Sequence, residues 1–185
     1  MNYKLLGTIG ILGAPFLFIG TAWYADDMGL TGLIYMAGWQ CSLIGLYRLR
    51  AAGNHNVARG LFYAIFTTLA LAQGWNVWTI FDPGNTSLAY QILDLTWPLS
   101  NVLMIPLGIA ALRARRLAGW YRFVPLAVGF WLPFALLVLG LLGRTPESMS
   151  IGGLYSALAW AMLGFVVFQG AGALRPDFKN AFSAA

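Results

Sequence analysis

Four residues stand out because an apolar segment has no need of them. Gln91, Asp94, Pro98 and Asn101 follow spacings of three, four and three, which places them on one stripe of a helix. Asp94 is the ionisable residue that falls well inside a long apolar run. Pro98 has no N–H to give to the carbonyl four residues earlier, which is that of Asp94. One residue therefore offers both a carboxyl group and a freed backbone oxygen, a pairing suited to holding a ligand or a proton. Gln73 and Asn76, three apart with Thr79 continuing the line, supply amides at similar depth, and Gln40, Tyr155 and Ser156 add further polar groups. Trp39, Trp75, Trp97, Trp131 and Trp160 are interleaved with them, and aromatic rings around a carboxyl suit a flat or cationic ligand.

The same residues admit a plainer account. Asp94 bonded to Gln73 or Asn76, and protonated because burial disfavours its charge, is a structural group. Cys41 is a small packing residue with no histidine to activate it, and His55 sits in a polar turn between Asn54 and Asn56. A single Cys and a single His leave disulfide exchange and multi-ligand zinc sites without their residues, so no cofactor or metal is expected. Asp94 as sole acid or base is thin equipment for an enzyme.

These groups need elements to position them, and composition says which. Of 185 residues 59% are hydrophobic and 9% charged, with mean hydropathy +0.71, too few charges to cover a water-facing domain. The expected fold is all-α: one polytopic membrane domain over residues 1–185, a compact bundle of six transmembrane helices. Apolar runs place the spans at 5–25, 30–49, 60–81, 88–112, 123–142 and 151–174. Short turns such as Asp82-Pro83-Gly84-Asn85 and Arg144-Thr145-Pro146-Glu147 make neighbouring spans antiparallel. The stripe on the fourth span predicts that it is central, and the apolar fifth span is expected to face lipid.

Charge orients the bundle. Lys4, Arg48, Arg50, Arg59, Arg113, Arg115, Arg116, Arg122, Arg175 and Lys179 share one face with both termini, and Arg144 lies opposite with Asp26, Asp27, Asp82 and Glu147. The positive-inside rule makes the basic face cytoplasmic. This topology accounts for a pI near 9.7 without nucleic acid. The short linkers suit a bacterial inner membrane. Gly10/Ala14 and Gly38/Ser42 are small-residue pairs that let helices approach closely, either within the bundle or in a homo-oligomer.

The expected partners are membrane lipids and a small hydrophobic or amphipathic ligand, with a second copy or a membrane partner subunit as further candidates. Three functions remain open. The first binds or transports a lipid or small amphipathic molecule in an outer-half pocket formed by Asp94, Gln91, Gln73, Asn76, Asn101, Gln40, Tyr155, Trp75, Trp97 and Trp160. The second is a structural or regulatory subunit acting through helix contacts, and the third an enzyme using Asp94. In the first, Gln73, Asn76 and Gln91 are the predicted nearest polar company of Asp94.

Overall fold

A computed structural model of the chain describes residues 2–23 and 29–178; Asp26, Asp27 and Lys179, named above, lie outside that range. The described chain is helical. It runs α1 (Tyr3–Gly13), α2 (Phe16–Trp23), α3 (Gly29–Arg48), α4 (Asn56–Phe81), α5 (Leu88–Ala114), α6 (Val124–Gly129), α7 (Trp131–Leu142) and α8 (Pro146–Gln169), with 3-10 turns at Gly119–Phe123 and Gly170–Ala173.

Four stretches are long and apolar enough to cross a membrane: Tyr3–Ala22, Gly29–Arg48, Leu88–Ala114 and Pro146–Ala173. Gly119–Gly129 and Trp131–Leu142, bent by 52°, make a fifth when taken as one broken span. The set is compatible with a multi-pass membrane protein. The 26-residue α4, read above as the third span, has the length but not the apolarity, because Thr67, Thr68, Gln73, Asn76 and Thr79 dilute it.

Proline explains both breaks. Pro15 stands between α1 and α2 and cannot donate to Ile11 four residues back. Pro133 likewise leaves the Gly129 carbonyl without its bond, and the chain bends at Phe130, between α6 and α7. Elsewhere side chains close the helix starts. Ser87 accepts from Tyr90 N on α5, and Thr145 and Ser148 form a reciprocal capping box on α8. The fold makes His55 an N-cap, its Nδ1 accepting from Ala58 N at 3.1 Å.

The centre of the fold is α8, not the fourth span as the polar stripe suggests. It packs against α1, α2, α3, α6 and α7, whereas α5 lies chiefly between α4 and α6. The seam of α1, α3 and α8 is made of glycine. A Cβ on Gly164 would stand 2.6 Å from Ile11 N, one on Gly7 2.3 Å from Phe168 N, and one on Gly13 3.0 Å from Gly38 Cα. Ser42 Oγ, folded back to donate to Gly38 O at 3.1 Å, fills the notch left by Gly10. The small-residue pairs thus serve packing inside the bundle. At the basic end, Leu117 and Leu174 form an antiparallel bridge, and Arg175 N donates to Arg116 O at 2.8 Å, tying the end of α5 to the end of α8.

Gly164→Ala is expected to cost roughly 1–3 kcal/mol, since backbone atoms of α1 occupy the added methyl's place. Gly74→Ala, with nothing within 4 Å of the new Cβ in the middle of α4, should hold or gain up to about 1 kcal/mol. Unfolding of both variants in detergent checks this, and equal behaviour would contradict the seam.

Candidate functional site

In the half of the bundle away from the arginine-rich end, the helices enclose a cavity of about 600 Å³. Its position follows from the glycine seam: α1, α3 and α8 are drawn together, and the larger side chains of α4, α5 and α7 close over what remains. Gly32, Tyr35 and Met36 of α3 form one wall, and Ala72, Trp75 and Asn76 of α4 the next. Leu93, Asp94 and Trp97 of α5 face them, and Trp131, Leu132, Ala135, Leu136 and Leu139 of α7 complete the apolar side. Arg144, Ser148, Met149, Gly152 and Gly153 line the cavity from the start of α8, with Leu17 and Thr21 from α1–α2 beside them.

Aromatic rings set the rigid back of this space. Trp39 and Trp160 meet edge to face at 5.0 Å, Tyr35 tilts against Trp160 at 5.5 Å, and Trp131 stands 6.2 Å from Trp160 and 5.1 Å from Trp97. Trp131 is locked by its Nε1, which donates to Gly152 O at 2.8 Å. The bend at Phe130 is what turns this ring inward, so the fifth span supplies a wall of the cavity and does not face lipid throughout.

The polar inventory of the cavity is unusual. Asn76, fully buried, donates from Nδ2 to Gln73 Oε1 at 3.3 Å and to Met36 Sδ at 3.2 Å, but its Oδ1 has no partner. That oxygen presses on the α3 backbone, where a Cβ on Gly32 would meet it at 2.3 Å. The Tyr35 hydroxyl, also fully buried, lies beside Ser156 and Trp97 Nε1 but outside hydrogen-bonding geometry with either. Trp75 Nε1 and Trp97 Nε1 are likewise buried and unpartnered. A buried unmade hydrogen bond costs about 1–3 kcal/mol, so four such groups lining one cavity need a physical reason.

Two charges share the wall. Asp94 and Arg144, both exposed, line the cavity, and neither side chain makes a hydrogen bond or ion pair with a described residue. Among the described residues the one ion pair, Arg175 with Asp177 at 2.8 Å, is at the other end. In chemical terms the site is an aromatic, largely apolar volume with a carboxyl group and a guanidinium on its lining, hydroxyl and indole donors and an amide acceptor. No group of three or more His, Cys, Asp or Glu that could hold a metal exists among the described residues.

Of the ten predicted site residues, Asp94, Asn76, Trp75 and Trp97 line the cavity. Trp160 stands behind Tyr35 and Trp131 as support. The other five turn elsewhere. Gln91 donates to Thr86 O at 3.0 Å on the exposed first turn of α5, and Gln73 donates to Leu33 O at 3.3 Å. Asn101 is buried further along α5, its Nδ2 donating to Trp97 O at 3.0 Å. Tyr155 donates its hydroxyl to Ala127 O at 2.8 Å, tying α8 to α6, and Gln40 is half-buried on α3 outside the lining. Gln73 and Asn76 bond each other and Gln91 bonds its own turn, so none of the three hydrogen-bonds the Asp94 carboxyl, although Asn76 shares the cavity with it. The stripe spacing of α5 is real, but the register of α4 aims its amides at α3.

Sequence reasoning missed Arg144, Met36 and Ser148 as lining residues, and left Tyr35 and Trp131 out of the predicted site set. Arg144 carried a signal, being the one cation on the face opposite the other basic residues.

No family model, curated protein or solved structure matches the chain.

Tyr35→Phe deletes an oxygen that makes no hydrogen bond, so the ligand-free protein should be at least as stable as the parent and gain up to about 1–3 kcal/mol. A clear loss of stability in detergent unfolding would show that the hydroxyl is satisfied within the fold.

Proposed function

We propose that this protein is a membrane-embedded receptor or carrier for a lipid or small amphipathic molecule held in the Asp94–Arg144 cavity. On this reading the chain crosses a bacterial inner membrane six times with both termini in the cytoplasm. α4 counts as a span because it is packed between α3 and α5, which shield its polar groups. The cavity then lies in the outer half. The observation that carries the binding reading is two fully buried polar atoms without a partner in hydrogen-bonding geometry, Asn76 Oδ1 and the Tyr35 hydroxyl with Ser156 and Trp97 beside it, on a wall that also bears the exposed side chains of Asp94 and Arg144.

The division of labour follows from chemistry. Trp75, Trp97, Trp131 and the leucines of α7 take an apolar tail or ring, and Asp94 receives a cationic or donor headgroup against the indole faces. Arg144 receives an anionic or acceptor group. The Tyr35 hydroxyl and Asn76 amide oxygen fix orientation.

Lysophosphatidylethanolamine, which carries an ammonium and a phosphate on one chain, is expected to raise the thermal midpoint of the full-length protein in dodecyl maltoside. Asp94→Asn should preserve folding and weaken that response about tenfold or more, the scale of one lost charged hydrogen bond. An Asn variant indistinguishable from the parent would end this role for Asp94.

Topology has its own test. With Cys41 replaced by Ala, single cysteines at positions 55 and 118 should need a membrane-permeant reagent for labelling in intact cells, and those at 84 and 147 should not. Labelling of position 118 from outside would invert the orientation.

A further inference from the structure

A second cavity, of about 390 Å³, lies at the basic end and plays no part in the site above. Its walls are Tyr3 of α1, Tyr47 and Arg48 of α3, Arg50 and Asn54 of the following turn, and Arg59 of α4. Three exposed arginines, Arg48, Arg50 and Arg59, thus line one small space. None has a carboxylate partner among the described residues, where the one ion pair is Arg175 with Asp177. The positive-inside rule accounts for arginines on this face but not for their convergence on a cavity.

The backbone of the turn makes the case sharper. Helix α3 ends with Ala51 N donating to Leu46 O at 3.0 Å and Arg50 N donating to Tyr47 O at 3.0 Å. This is the Schellman pattern, in which the residue after the cap takes a left-handed conformation and is usually glycine. Here that residue is Arg50, with φ of 51°. A glycine, free of the Cβ conflict, would suit the turn better. Arg59 is held in turn by Asn54, its Nη2 donating to Oδ1 at 2.8 Å, which aims the guanidinium from the first turn of α4.

We propose that this cavity binds a phosphate oxyanion through Arg48, Arg50 and Arg59. Guanidinium forks match phosphate oxygens in pairs, and an anion is what relieves the mutual repulsion of three such groups. The phosphate can belong to an anionic lipid headgroup or to a free phosphate species.

Arg115 supplies a built-in control, being the other described non-glycine residue with positive φ, also 51°, at the end of α5 and outside this cavity. The double variants Arg50→Gly with Arg59→Gln and Arg115→Gly with Arg113→Gln each remove two charges from the same face, one of them from a left-handed position. The full-length protein in dodecyl maltoside is titrated with inorganic phosphate against chloride at matched ionic strength, followed by thermal midpoint. In parallel it is placed in nanodiscs of phosphatidylcholine with graded phosphatidylglycerol, and retained lipid is counted by native mass spectrometry.

The first double variant should lose affinity tenfold or more for whichever probe binds, and the second should change less than about twofold. Response to phosphatidylglycerol alone assigns the site to a lipid headgroup, and response to phosphate in detergent assigns it to a free species. Arg50→Gly alone should raise the midpoint while lowering affinity, whereas Arg115→Gly should raise the midpoint only. Arg59→Gln alone, on an exposed helical position, repeats the test should the double variant fail to fold. Binding of neither probe by the parent, or equal losses in both double variants, would overturn the proposal.

Discussion

Everything in this fold depends on how closely three helices can approach. Gly7, Gly10 and Gly13 of α1, Gly38 of α3 and Gly164 of α8 have no Cβ, and nearly every place where one would stand is taken by backbone of a neighbour. A membrane offers helices no hydrophobic drive to associate, so dispersion contacts at such close range are a main source of cohesion. Drawing α1, α3 and α8 together also decides where space is left. α4, α5 and the bent α6–α7 pair carry tryptophans and leucines too large to approach as far, and the cavity is the volume they cannot fill. The site is thus a geometric consequence of the seam, and its walls are as rigid as the aromatic contacts behind them.

The polar groups around that volume divide into two sorts. Thr68, Ser100, Thr79 and Tyr90 are paired across α4 and α5, with Ser100 Oγ donating to Thr68 Oγ1 at 2.7 Å and Thr79 Oγ1 sharing a bond with the Tyr90 hydroxyl at 2.8 Å. These secure the helix pair. Tyr35, Asn76, Trp75 and Trp97, which line the cavity, leave polar atoms unmatched, as do Trp39, Asn101, Arg122, Ser156 and Trp160, which do not line it. In a medium of low dielectric such groups are costly, and a ligand with matching donors and acceptors is the economical explanation. Asp94 and Arg144 also line the cavity, but both are exposed, so their unpaired state carries no comparable cost.

Much of the architecture was legible in the sequence. Hydropathy found four stretches that are long and apolar enough to cross a membrane, and a fifth if the bent α6–α7 pair is one span, within about five residues of their helices. Asp94, Trp75, Trp97 and Asn76 were also legible, since a polar or indole-bearing residue at mid-span has to face protein. What could not be read was rotation. Whether Gln73 and Asn76 meet Asp94 or α3 is set by some 100° of helix phase, and that phase is fixed by the notch at Gly32, a contact between residues forty-four apart. Nor could periodicity show that Pro133 would bend the chain and turn Trp131 inward. Arg144 was visible as an exception to the charge pattern, but the step from an exception in topology to a group in the cavity needs the fold of the Gly143–Ser148 turn, in which Ser148 Oγ donates to Gly143 O at 2.7 Å.

The central claim is that the cavity between Asp94 and Arg144 holds an amphipathic molecule. An experimental density map of the full-length protein, purified without added lipid at a resolution that shows side chains, tests this most directly. The account predicts an elongated non-protein feature along Trp97 and Trp131, with a polar end within hydrogen-bonding distance of Tyr35 Oη or Asn76 Oδ1 and a charged end at Asp94 or Arg144. A closed cavity, with Trp75 and Trp97 packed onto Met149 and Leu139 and the Asp94 carboxylate paired directly to the Arg144 guanidinium, would contradict it.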